Sequence, residues 1–245
     1  MEQKQDVYYH SKPVDLKAIA NALMKMPKEK IKELLHDKQK LKQVLFGKEI
    51  DKLDPHVSSH GEALVYAAKD RVTSLLFGSS KSHGDLDGKI EYKDGKPVFK
   101  EAYPGALKER FDRASCVLLE VDGQTFDPEL REFSNGTKLF DGEIVSRESV
   151  QVKKSTKVKN IYAEIMAAAE RGEIEIQEYQ RDNPEYVAEM EEHIKNTILR
   201  ANGGKILDNP DSATFKFCMK KNPHIMKQLL QEREQSIEDA GMEME

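Results

Sequence analysis

Tryptophan is absent from this 245-residue chain, and aromatic residues make up only 7% of it. A surface built to stack single-stranded nucleic acid needs more rings than that. Only two cysteines occur, Cys116 and Cys218. With no Cys-x-x-Cys pair between them, a disulfide framework is excluded, and two free thiols in a reducing compartment are expected. No apolar run reaches the length of a membrane span. The first residues, MEQKQDVYYH, lack a basic segment followed by an apolar stretch, so no signal peptide and a cytoplasmic location are expected. The net charge of −5 comes from basic and acidic residues mixed along the chain. That mixture lacks the clustered positive field of a nucleic-acid binder. The Gly-x-Ser-x-Gly and His-Glu-x-x-His motifs are missing too. SHGDLDGK at 82–89 completes neither a phosphate-binding loop nor a calcium loop.

What is present is charge and amphipathic pattern: 34% charged and 38% hydrophobic residues suit long solvent-exposed helices more than one thick core. Residues 6–11 read as a strand that stops at His10–Ser11. Leu16, Ile19, Ala20 and Leu23 recur at helical spacing, as do Ile31, Leu34, Leu35, Leu41, Val44 and Leu45. A helical pair is therefore expected at about 14–47, divided by Pro27 and closed by Gly47. Its lysine-rich face reads either as a solvated side or as a surface for a protein partner.

From residue 54 the pattern changes to strands and turns. Residues 63–68 form an apolar strand, with Asp70 capping a short helix that Gly78 closes. Asp94–Gly95 is a two-residue turn between strand-like runs at 89–92 and 96–99. Residues 116–121 are a nearly continuous apolar strand, and another strand is expected over 143–152. Beyond it the chain reads as helices, three of them announced by Asn-Pro at 183–184, 209–210 and 222–223. The division expected is 1–152 and a C-terminal helical region at 153–245.

Three strand ends carry the residues best suited to chemistry: YYHSK with His10 and Ser11, LVYAAKD with Tyr66 and Ala67, and GEIVS with Glu143. Each has a plain alternative. A strand-end histidine can satisfy a backbone carbonyl, a tyrosine in an apolar strand can be core, and Glu143 can be an exposed residue after the Asp141–Gly142 turn. Glu148 is the rival carboxylate. Alternation along one strand would turn 143 and 148 to opposite sides. HVSSH, with His56, His60 and nearby Glu62, has two histidines at a metal-like spacing but lacks a third supporting ligand, so no metal is expected.

The order of these segments resembles the ADP-ribosyltransferase fold. Within it, the chain is similar to the His-Tyr-acidic branch of poly-ADP-ribose polymerases, diphtheria-type toxins and rifampicin-modifying transferases. The likeness covers 6–13 and 53–152, less than half of the chain, and the intervening helices depart from it. It implies an α+β fold: an ADP-ribosyltransferase-like mixed β core with an inserted helical pair and a C-terminal helical region.

It further implies NAD as a substrate, cleaved at the nicotinamide–ribose bond, with ADP-ribose passed to an unknown acceptor such as a protein. In that scheme His10, Ser11, Tyr66 and Ala67 bind NAD, with Tyr66 stacking on nicotinamide. Glu143 orients the ribose and stabilises its developing charge. The reading from a different class is a non-enzymatic phage or bacterial structural or adaptor protein with a degenerate copy of the fold. Fold alone does not decide between them.

Overall fold

The computed structural model describes residues 6–37, 50–57, 62–79, 83–133, 136 and 138–242. The helical spacing at 41–47, His60 and the Gly47 stop lie outside the described residues. The protein is α+β. Its chain divides into two units, one of residues 1–82, 91–97 and 110–175, the other of 83–90, 98–109 and 176–245.

The first unit is built on a curled antiparallel sheet. Its strands are β1 (Val7–Val14), β2 (Lys52–Leu53), β3 (His56–Val57), β4 (Ala63–Ala68), β7 (Ser115–Asp122), β8 (Glu143–Ser146) and β9 (Val150–Val158). They lie in the order β2-β9-β7-β1-β4-β3, with β8 paired to β4. β7, the apolar run, is central and buried on both faces. One face packs Tyr8, Val65, Ala67, Val117, Leu119, Val121 and Ile144 into a continuous cluster. Each Val, Leu or Ile side chain so withdrawn from water contributes roughly 1.5–3 kcal/mol. On the other face, Leu64, Phe133, Leu139 and Val145 pack beneath the long connection before β8.

Helices α1 (Leu16–Met24) and α2 (Lys28–His36) follow β1. α2 has no buried residue. Helix α3 (Arg71–Leu76) starts where the sequence indicates, with the Asp70 carboxylate accepting from Thr73 N at 2.7 Å. Helix α5 (Ile161–Glu170) is capped by Asn160 and buries Ile161, Ile165 and Ala168.

The strand expected over 143–152 is two strands. Residues 147–149 bend between β8, which pairs with β4, and β9, which pairs with β7. The Ser146 hydroxyl accepts from Glu148 N at 3.1 Å and holds that bend. Glu148 therefore lies off the strand, and alternation along one strand does not relate it to Glu143. β9 itself runs past residue 152 to Val158.

The second unit packs helices α6 (Pro184–Arg200), α7 (Ala213–Lys221) and α8 (Pro223–Met242) around their own core. Tyr186, Met190, Ile194 and Ile198 recur every four residues along the buried stripe of α6. Ile194 and Ile198 join Leu86, Tyr103, Phe217, Met226 and Leu229 in one cluster. Asn183 caps α6, accepting from Tyr186 N at 3.2 Å, and Pro223 opens α8, as their Asn-Pro pairs indicate. At Asn209–Pro210 no helix begins. Asn209 ends a 3-10 segment (Ala201–Asp208), and Ser212 caps α7 instead.

The strands β5 (Gly88–Lys93) and β6 (Lys96–Glu101) form the expected hairpin, with β10 (Glu175–Gln177) beside β6. Asp94 and Gly95 both have positive φ, 52° and 76°, the geometry of a two-residue turn. The short helix α4 spans Ala106–Phe111.

Candidate functional site

β1 forms because Val7, Tyr8 and Tyr9 favour a pleated, half-buried surface. It runs against β7 for its whole length, from Val7↔Asp122 to Val14↔Ser115, yet meets β4 only at Tyr9↔Ala68. Beyond that pair the β1–β4 ladder is open. β4 pairs on its other edge with β8, from Val65↔Ser146 to Ala68↔Glu143. The strands carrying His10, Tyr66 and Glu143 are thus neighbours, and one row, Tyr9–Ala68–Glu143, crosses all three.

His10 stands at the opening. Its Nδ1 is 2.9 Å from the Tyr66 carbonyl oxygen. A carbonyl only accepts, so Nδ1 carries the proton and Nε2 is left as an acceptor. Burial lowers the His10 pKa below its ordinary 6.5. The Tyr66 hydrogen bond opposes the shift, while the charges of His56 and Lys12 reinforce it. The plain reading, a strand-end histidine satisfying a carbonyl, is therefore part of what this residue does.

The Ser11 hydroxyl lies 2.8 Å from that of Ser74 on α3. Behind it sits Cys116, its thiol pushed up to about 11 by burial and so protonated at neutral pH. Both cysteines are free and buried.

Tyr66 is half-buried against the Leu64–Val145 cluster, and its ring centroid is 6.4 Å from that of His56. By alternation, Ser11, Tyr66 and Glu143 leave the sheet on the side of Tyr9 and Ala68. His10 and Ala67 have the opposite parity, and Ala67 is packed with Ile144 in the other cluster. His10 accordingly meets the Tyr66 strand at its backbone, not ring to ring. Glu143 opens β8, with its own N–H donated to Phe140 O at 2.9 Å.

Four further residues, without a signal in the sequence, lie beside these strands: Ser74, against Ser11, and the aromatic row of Phe77, Phe140 and Tyr92. Phe77 ends α3 and is 41% exposed, unusual for an aromatic ring beside a core helix. It packs edge-on against Phe140, centroids 6.3 Å apart, and Phe140 packs edge-on against Tyr92 at 5.7 Å. The exposure of Phe77 has no sequence signal, because SLLF reads as an ordinary apolar helix end. A groove of about 430 Å³ runs past Tyr9, lined also by Lys69, Arg71, Gly95, Pro97 and Glu173. Arg71 is held by Glu164 at 2.7 Å.

No family model, curated protein or solved structure matches this chain. The site rests on its own geometry. Among the described residues, no group of three or more His, Cys, Asp and Glu side chains could hold a metal. Nor is any helix among them long and apolar enough to cross a membrane.

Proposed function

We propose that the protein binds NAD at the open β1–β4 ladder and transfers ADP-ribose, as a member of the ADP-ribosyltransferase-like folds. One observation carries this reading: β1, β4 and β8, remote in sequence and each bearing one residue of the His-Tyr-Glu set, are adjacent in one sheet. Ser11 and Ser74 offer paired hydroxyls for a carboxamide. Tyr66, together with the more exposed Phe77, offers a ring face for nicotinamide. Neutral His10, of opposite parity to these residues but tied at the opening to the Tyr66 backbone, keeps an acceptor nitrogen for a ribose hydroxyl. In the reaction, the nicotinamide–ribose bond breaks and its electron pair leaves with nicotinamide. Glu143 stabilises the positive ribose, and the acceptor attacks the anomeric carbon and releases its proton.

Calorimetric titration with NAD and a nicotinamide-release assay test this on the wild type and on His10→Ala, Tyr66→Ala and Glu143→Gln. Expected are weaker binding in the first two and a loss of at least about 10²-fold in release for Glu143→Gln. No binding by the wild type at millimolar NAD overturns the reading. That outcome would favour the adaptor alternative, which draws on α2: Leu35 there is 64% exposed and nothing on the helix is buried.

A further inference from the structure

We propose that Tyr92, at the tip of the β5–β6 hairpin, is a positioning residue that fixes the turn presenting Glu143. The inference takes the catalytic role of Glu143 from the proposed function but stands on contacts of its own. Glu143 enters β8 from a tight turn. Its N–H bonds to Phe140 O at 2.9 Å, and Gly142 O accepts from Lys69 N at 2.9 Å. The turn is packed shut from one side. A Cβ placed on Gly142 would sit 2.6 Å from Phe140 Cε1, 2.7 Å from Tyr92 Cε2 and 3.0 Å from Thr73 Cγ2. Tyr92 is thus the wall against which the Gly142 backbone rests, and its ring also meets Phe140 edge-on.

That wall is tied down at its far end. The Tyr92 hydroxyl donates to Asp70 Oδ2, the same carboxylate oxygen that accepts from Thr73 Oγ1 at 2.7 Å. Asp70 Oδ1 meanwhile caps α3 through Thr73 N at 2.7 Å. One carboxylate therefore anchors both the helix that bears Ser74 and Phe77 and the ring that braces the Glu143 turn. Removing the phenol oxygen frees the ring to swing from Gly142 while leaving its apolar bulk in place.

Tyr92→Phe isolates that effect. Amide hydrogen exchange in the variant should speed at least tenfold at Lys69 and Glu143, whose N–H groups define the turn. Leu118 and Val121 in β7 should stay within twofold. If the wild type releases nicotinamide from NAD, kcat should fall at least tenfold with KM within twofold. A merely structural role would not produce that split. Exchange at Lys69 and Glu143 within twofold of wild type overturns the proposal, whatever the activity. A wild type that does not turn NAD over overturns the proposed function instead, and the exchange result alone then decides whether Tyr92 holds the turn.

Discussion

His10 donates a hydrogen bond from its Nδ1–H to the Tyr66 carbonyl, and burial favours the neutral ring. Its pKa is lower in the folded chain than in the unfolded one, so the unfolded state takes up the proton first as pH falls. The stability tied to neutral His10 is complete above the ordinary 6.5 and is lost as pH drops through the lower folded value. Urea midpoints should therefore fall between pH 7.5 and 5.5, and His10→Gln should shrink that difference. An unchanged difference in the variant would assign the effect elsewhere. Gly142 gives a second test at this scale. Gly142→Ala forces a methyl against Phe140 and Tyr92, at a cost of about 1–3 kcal/mol of unfolding free energy in the same titrations.

Elements were legible in the sequence wherever their signals are local. Asp70 and Asn183 each accept from the backbone of the helix that follows. The Asp94–Gly95 turn gave the hairpin for the same reason, since both residues tolerate positive φ. Gly95→Ala should destabilise the protein by roughly 1 kcal/mol, read from the thermal midpoint.

Local signals misled at Asn209–Pro210, where the side chain that bonds the first helical turn belongs to Ser212. Ser212→Ala should cost about 1 kcal/mol in urea unfolding, and Asn209→Ala far less. Equal losses would contradict the assigned start of α7. The bend at 147–149 was hidden because apolar residues resume directly after it, at Val150 and Val152. What breaks the strand is a change of neighbour, from β4 to β7, and that depends on residues far away in the chain. The candidate site divides likewise. Its residue types were visible, but the opening after Tyr9↔Ala68 and the exposure of Phe77 arise only from the assembled sheet.

At the scale of the molecule, neither unit is one continuous piece of chain. The chain passes between them after residues 82, 90, 97, 109 and 175. A protein ending at residue 152 would lack six residues of β9 and the buried Ile161 and Ile165 of α5. One ending at 175 would strip Leu86, Ala102, Tyr103 and Ala106 of their helical partners. Both truncations should be insoluble or lack dispersed amide resonances. A well-folded 1–152 fragment would contradict this division.

The same interleaving sets a schedule during synthesis. Leu86 and Tyr103 leave the ribosome well before Ile194 and Leu229, with which they share a core. At translation rates of about 5–20 residues per second, the first members wait on the order of ten seconds for the last. During that interval their apolar surface is open to solvent and to other chains. Fast translation or a chaperone that shields nascent segments should raise the yield of native protein.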